Sequence, residues 1–289
     1  MPAELGLTTC HLIHAVGAAT VDPTTRPTGG AQMRDVPDLT RIDLRESDST
    51  ARMAEALRRQ GMALFSGVCD RAELLRAGRT LISIRTHRDG DAEGVTTVEQ
   101  RIAFAATGSL AGFTDRELVP HTDGSAVAEP PHVLMLACVR RPRTGGKVML
   151  VDGRHLYDEI AQNDPAMLDA LRAPRSAYFG GGSGHLGSVF EETADGRIRV
   201  RLRFDDLVRF SPATSLYLGK LRELVRQRTI TLDLAVSEGY LLLNDRWLHG
   251  RTRFVGDRVM LRLIGDPLPD YEVATGFVPA TADLPLPTH

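Results

Sequence analysis

The sequence predicts a mixed α and β fold with a mainly β core: a double-stranded β-helix, or jelly roll, with helices packed around it. Three observations lead there. Short strands outnumber helices, and they do not alternate with them in the regular β-α-β order of a doubly wound parallel sheet. Charged residues recur on one face of strands whose other face is aliphatic, which a barrel tolerates where a ligand cavity opens at one mouth. No internal repeat or low-complexity tract points to a solenoid.

Residues 1–38 mix Thr, Pro and Gly with little periodicity and read as a flexible N-terminal arm, leaving 39–289 as a single domain. SDSTARMAEALRRQG, from Ser47 to Gly61, offers an N-cap, apolar residues Met53, Ala56 and Leu57 at helical spacing, and a terminating glycine. Met62 to Val68 is a short apolar run and hence a buried strand, and RAELLRAGRTLISI returns to helical spacing. His87 to Thr97 reads as a loop, and an irregular stretch from Ile102 leads into Pro120-His121-Thr122-Asp123-Gly124. HVLMLACV and KVMLVDG read as a hairpin joined by RRPRTGG. RHLYDEIAQNDPAMLDALRAP is helical in two pieces, broken at Asn163-Asp164-Pro165.

After the turn at Asp195-Gly196, Ile198, Val200, Leu202 and Phe204 alternate with Arg197, Arg199, Arg201 and Arg203, as in a strand. A helix from about Ser215 to Arg228 precedes the strand ITLDLAV. Tyr240 to Leu243 is a strand that runs to a turn at His249-Gly250. The next strand places Val259, Leu261 and Leu263 on one face and Arg258, Met260 and Arg262 on the other. The proline-rich tail does not continue the sheet.

Bulk composition excludes several classes of function. At net charge −2 the chain has no global field for nucleic acid or an acidic membrane surface. No apolar run approaches a membrane span, and the N-terminus lacks the order of a signal peptide. Three scattered cysteines, Cys10, Cys69 and Cys138, do not form a disulfide framework, so a reducing cytoplasm is the expected setting.

The chemistry concentrates in two places. His121 and Asp123 stand two apart, on one side of an extended segment, and His249 follows far downstream. His-x-Asp…His is the ligand order of a facial triad on non-haem Fe(II), which leaves three positions open. Arg258 and Arg262 share a strand face after the distal histidine and would be costly to bury without an anion, so a bound dicarboxylate is their natural partner. A Zn(II) hydrolase could use His-Asp-His but gives the arginines no role. A non-catalytic barrel binding a small acid would keep the arginines and need no open triad.

HTDG, NDRWLHGRTRF and RVMLR, in that order, resemble the taurine dioxygenase and clavaminate synthase-like superfamily of Fe(II)/2-oxoglutarate oxygenases, over roughly Ala56 to Pro267. The resemblance implies that His121, Asp123 and His249 ligate iron, that Arg258 grips the distal carboxylate of 2-oxoglutarate, and that Arg262 lies near its keto-acid end. Asn244 and Arg251 would support the same motif. It implies Fe(II), 2-oxoglutarate and O2 as cofactor and co-substrates, and hydroxylation of a C–H bond with release of succinate and CO2. Desaturation or cyclisation at the same iron is the alternative. Where relatives place a threonine after Gly-Gly to bind the co-substrate, this chain has Val148. Because Asp123 keeps the carboxylate that related halogenases replace, hydroxylation is favoured over halogenation. Ser176 to Gly187 is glycine-rich and aromatic, which suits a mobile loop over the pocket. Tyr178 and His185 within it, together with Arg203, Asp205 and Asp206, are the candidate substrate contacts. The expected substrate is a small amino-acid-like molecule, free or on a carrier protein.

Overall fold

The computed structural model describes residues 39–101 and 112–280. The arm expected over residues 1–38, with Cys10, lies outside the described residues, as do 102–111 and the tail from 281.

The chain opens with β1 (Arg41–Asp43), α1 (Ser49–Gln60), β2 (Met62–Ser66), α2 (Arg71–Arg79), β3 (Ile82–Arg85) and β4 (Thr96–Glu99). Gly61 ends α1 at φ 72°, a left-handed conformation that glycine adopts without strain, and its N–H caps Leu57 O. Next come β5 (Leu118–His121), β6 (Val133–Arg140), β7 (Thr144–Gly145) and β8 (Val148–Asp152). α3 (Gly153–Asn163) and α4 (Pro165–Arg172) follow. Asp164 separates these two helices and accepts a bond from Met167 N at 3.0 Å, with Pro165 in the first turn of α4. Then come β9 (Ala177–Phe179), β10 (His185–Gly187), β11 (Phe190–Glu192), β12 (Ile198–Val200) and β13 (Val208–Phe210). α5 (Pro212–Ser215), α6 (Leu218–Arg228), β14 (Ile230–Leu232), β15 (Gly239–Leu243), β16 (Trp247–Arg251), β17 (Phe254–Val255) and β18 (Val259–Pro267) complete the fold, with a 3₁₀ turn at Pro269–Tyr271.

The fold is mixed α and β, mainly β. Among the described residues a seven-stranded sheet runs β1-β2-β15-β6-β18-β3, with β4 also on β18, and a four-stranded sheet runs β14-β8-β16-β5. Their pairings are antiparallel apart from β1 with β2.

Side-chain alternation sorts the core into layers. Leu241, Leu243, Leu261 and Leu263 pack with Met53, Leu57 and Leu74 of α1 and α2. Tyr240, Leu242 and Met260 face the other way and meet Val148, Leu150 and Trp247 of the smaller sheet. Val151 and Leu248, on that sheet's outer side, pack with Leu156, Ile160 and Leu168 of α3 and α4. Each fully buried leucine contributes roughly 1.5–3 kcal/mol. The functional side chains occupy the inner layer, where Trp247 is pinned by its Nε1 donating to Gln60 O at 2.9 Å. Buried Asp152 and Arg246 are joined by two hydrogen bonds of 2.8 and 3.1 Å, which tie the end of β8 to the turn before β16.

Several expectations are corrected. HVLMLACV and KVMLVDG are not a hairpin: β6 lies between β15 and β18 in the larger sheet and β8 between β14 and β16 in the smaller, so RRPRTGG crosses between sheets. A continuous apolar run fits a central strand buried on both faces and does not name its partner. His249-Gly250 is not a turn but the interior of β16; the chain reverses at 244–246. The helical reading of RAELLRAGRTLISI stops at Arg79, because Ile82–Arg85 pairs with β18. The strand after Asp195-Gly196 is regular only over Ile198–Val200. Ser176–Gly187 is a hairpin in which β9 pairs with β10, and not an open loop.

Candidate metal centre and co-substrate pocket

β5 and β16 are neighbours in the smaller sheet, and their register sets His121 directly opposite His249. That approach needs Gly250, where a Cβ would come within 2.3 Å of Leu118 O. His121 Nε2 lies 3.4 Å and His249 Nε2 3.7 Å from the same atom, Asp123 Oδ1. All three offered ligand atoms lie within 4.8 Å of one another. Burial first, then the nearby charges of His121 and Arg262, push His249 down to about 3, so its ring is neutral and its Nε2 offers a lone pair. His249 Nδ1 is buried with no hydrogen-bond partner, which leaves the ring to bond only through the side facing Asp123. His121 Nδ1 sits 3.1 Å from Val119 O; donating there fixes the tautomer that leaves Nε2 free for a metal. Burial opposes ionisation of Asp123, but Arg262, then the two histidines, hold its carboxyl well below the usual range. Arg262 Nη1 donates to Asp123 Oδ2 at 2.8 Å, so one carboxylate oxygen is tied and the other faces the imidazoles. Two imidazole nitrogens and one carboxylate oxygen suit Fe(II) with open positions.

Asn244 fixes this geometry from behind. Its Oδ1 accepts from Asp123 N at 2.7 Å, and its Nδ2 donates to Asp123 O at 2.8 Å and Pro131 O at 2.9 Å. Thr122 exchanges bonds with Leu202, its N–H donating to Leu202 O at 2.9 Å and its Oγ1 accepting from Leu202 N at 3.2 Å. Arg251 donates to the carbonyls of Arg116 and Thr114 and tethers the segment leading into β5. Burial, then the charge of Arg258, push Arg251 down to about 10.

His121, Thr122, Asp123, His249 and Arg251 line a cavity of ≈ 650 Å³ that also receives Arg258, Arg262, Tyr240 and His87. Arg258 and Arg262 share the inner face as the alternation predicts, but they differ in partner. Arg262 is paired with Asp123, whereas Arg258, 6% exposed, has no carboxylate partner among the described residues and lies 5.8 Å from the Phe254 ring centroid. A buried guanidinium without an anion is the cradle a carboxylate ligand would fill. Val148 is packed in the layer between the sheets and lines a small void of ≈ 10 Å³ beside Arg258. Its side chain has no polar atom to offer a ligand.

Arg203 and Asp205 also line the cavity and bind each other, with Arg203 Nε donating to Asp205 Oδ1 at 2.6 Å, and Arg203 Nη1 donates to Ser125 Oγ at 3.1 Å. Three expected substrate contacts fall outside the lining. Asp206 is exposed, because the chain leaves regular strand geometry after Val200 and the alternation no longer holds. Tyr178 turns its hydroxyl into its own loop, donating to Gly182 O and accepting from Gly184 N, both at 2.7 Å. His185 sits on β10, and the hairpin presents Gly180 and Gly181 to the cavity instead. Arg201, read as one of a row of strand arginines, is buried and donates to the carbonyls of Ser125, Val127 and Ala128 at 2.6–2.9 Å, shaping one wall. Sequence reasoning missed His87 and Tyr240. His87 sat in a segment read as loop, and Tyr240 in a run read as apolar.

Fold and site together define a class: an Fe(II)- and 2-oxoglutarate-dependent dioxygenase. Within that class the chain belongs to the taurine catabolism dioxygenase TauD, TfdA family, whose model matches residues 24–264. It is 26% identical to a uridine-5'-phosphate dioxygenase of Streptomyces sp, covering 77% of this chain and 89% of that protein. It is 27% identical to the mitochondrial trimethyllysine dioxygenase of Homo sapiens over 50% of this chain, and spans only 39% of that relative's length. Among solved structures it resembles an asparagine oxygenase in complex with Fe(II), 2S,3S-3-hydroxyasparagine and succinate, at TM-score 0.62, 16% identity, and coverage of 74% of this chain and 79% of that one. The non-heme iron oxygenase OrfP in complex with Fe and alpha-ketoglutaric acid aligns at TM-score 0.59 and 14% identity, over 74% of this chain and 77% of that one. At these identities the structural likenesses speak for the fold alone.

Proposed function

We propose that the chain hydroxylates a C–H bond of a small amino-acid-like metabolite at an iron held by His121, Asp123 and His249, and that its two main sheets form a double-stranded β-helix around that site. The convergence of two histidine Nε2 atoms on Asp123 Oδ1, in one cavity with a buried arginine that has no carboxylate partner among the described residues, carries the reading. Bound iron, 2-oxoglutarate and O2 supply the oxidising chemistry, with succinate and CO2 as co-products.

The protein's part is positioning. Arg258 would take the distal carboxylate of 2-oxoglutarate, and Arg262 would keep Asp123 ionised and oriented near the keto-acid end. Arg203 and Asp205 offer a cation and a carboxylate to the two ends of a zwitterion, which must compete with their own pairing. Both a free and a carrier-presented amino acid fit this reading, and the cysteine pattern supports a cytoplasmic setting. The relatives and structural neighbours, named for trimethyllysine, asparagine and hydroxyarginine chemistry, lend support to an amino-acid-like substrate.

One observation favours a second reading, a phosphate ester. Cations outnumber carboxylates around the cavity, with Arg85 and Arg88 at its lining, and a relative matched over most of its length is named for uridine 5'-phosphate. A panel of free amino acids, carrier-loaded amino acids, nucleoside monophosphates, taurine and aryloxyacetates, scored by substrate-dependent succinate release, separates the two. Turnover confined to the nucleotides would replace the amino-acid reading, and an anaerobic Fe(II) and 2-oxoglutarate titration without the chelate's charge-transfer colour would remove both.

A further inference from the structure

Arg201 stands behind the cavity and not in it. It is absent from the lining, 5% exposed and, among the described residues, without a carboxylate partner. Its guanidinium is spent instead on one stretch of backbone: Nη1 donates to Ser125 O at 2.8 Å and Val127 O at 2.6 Å, and Nη2 to Ala128 O at 2.9 Å. Burial pushes Arg201 down to about 10, so the group stays charged at neutral pH and keeps all three bonds. The same guanidinium lies 5.8 Å from the ring centroid of Phe179, in the hairpin that presents Gly180 and Gly181 to the cavity.

The carbonyls that Arg201 holds belong to the wall next to the proposed iron ligands. Ser125, Ala126, Val127 and Glu129 line the cavity directly after Asp123. Ser125 is shared between two arginines, its carbonyl held by Arg201 and its hydroxyl accepting from Arg203 Nη1 at 3.1 Å. The guanidinium offered to a substrate is therefore aimed from the stretch that Arg201 fixes. Asp123, by contrast, is fixed by Asn244 and Arg262, and Thr122 by the main chain of Leu202. The ligand geometry and the wall thus hang on different side chains.

We propose that Arg201 is a positioning residue for the substrate: it fixes residues 125–128 from behind and, through Ser125, the guanidinium of Arg203, and takes no part in holding iron or 2-oxoglutarate. The inference rests on the reading of the cavity as an Fe(II)/2-oxoglutarate site with the substrate beside Arg203. An arginine suits the task because one planar fork reaches three carbonyls, which the single nitrogen of a lysine matches only in part.

Two variants of the Fe(II)-loaded full chain test it: Arg201→Met, which removes the donors, and Arg201→Lys, which keeps the charge on one nitrogen. Hydrogen exchange read by mass spectrometry should quicken in the peptide covering residues 124–129, more in Arg201→Met than in Arg201→Lys. In steady state the probe is the compound of the panel above that the wild type turns over fastest. Its KM should rise about tenfold in Arg201→Met and less in Arg201→Lys, while the KM for 2-oxoglutarate and the anaerobic Fe(II) and 2-oxoglutarate titration stay as in the wild type. A residue that served folding alone would move both KM values together; that outcome, unchanged exchange, or an unchanged probe KM overturns the proposal. If Arg201→Met does not fold, Arg201→Lys carries the same comparison. A wild type that develops no charge-transfer colour strikes the reading of the site itself, whereas colour in the wild type with variants indistinguishable from it strikes only the role of Arg201.

Discussion

At the candidate metal centre the protein leaves bonding capacity open: two imidazole nitrogens converge on one carboxylate oxygen, and Arg258 has no carboxylate partner among the described residues. Elsewhere around the cavity the charges satisfy each other, Arg203 with Asp205, Arg85 with Asp266 and Arg88 with Asp89. The first arrangement is preorganised for ligands that complete it. The second can exist without a ligand, and a substrate must displace or extend existing pairs, several of them exposed enough to be worth only about 0–1 kcal/mol each. Metal and co-substrate binding should therefore depend on single residues, while substrate binding should be spread over several.

The sharpest way to break this contrast is to remove a proposed metal ligand. His249→Ala or His121→Ala should abolish substrate-dependent succinate formation and Fe(II) binding while circular dichroism remains that of the folded chain; full turnover in the iron-supplemented variant would remove that residue from the ligand set. Asp123→Gly should likewise lose hydroxylation, and retention of full activity would sink its role as a ligand. Next in size, Arg258→Ala should raise the 2-oxoglutarate requirement by about a hundredfold, because a buried charge-assisted contact is lost. An unchanged requirement would place the anchor elsewhere.

Asn244→Ala should have a mixed effect. Loss of its buried bonds should destabilise the fold by about 2–3 kcal/mol and weaken iron about 10- to 100-fold, read by thermal denaturation and by Fe(II) titration. Loss of stability without loss of iron affinity would make it a fold residue only. The smallest effect is expected among the self-paired charges. Asp205→Asn should raise the substrate KM about tenfold and leave the Fe(II) and 2-oxoglutarate titration as it was; equal damage to both would erase the contrast between the two groups.

Legibility in the sequence follows the same division. His121, Asp123 and His249 were readable as a candidate set because ligand chemistry demands particular residue types in a particular order, and Arg262 because alternation over Met260–Leu263 survives in β18; Arg258 precedes that strand, across a register shift at Val259/Met260, and still lines the same cavity. Asn244 was readable only as part of a motif, and its three bonds to the loop at Asp123 and Pro131 came from the structure. Tyr178, His185 and Asp206 were misplaced because proximity to a glycine-rich segment or a strand end does not say which way a side chain turns. The Tyr178 hydroxyl, for one, is consumed by its own loop.

By itself the sequence determined what local periodicity and side-chain chemistry determine: α1, the break between α3 and α4, the inner and outer faces of β18, a candidate donor set for a metal and candidate cations for a dicarboxylate. Tertiary structure alone decided which strands are partners, and so that β6 and β8 part into different sheets and that His249 lies opposite His121. It also decided that Tyr240 lines the same cavity as Arg258. The physical reason is that apolar strands such as β6, β8 and β15 carry nearly interchangeable surfaces. Their neighbours are chosen by how the whole core closes, which no short stretch of sequence encodes.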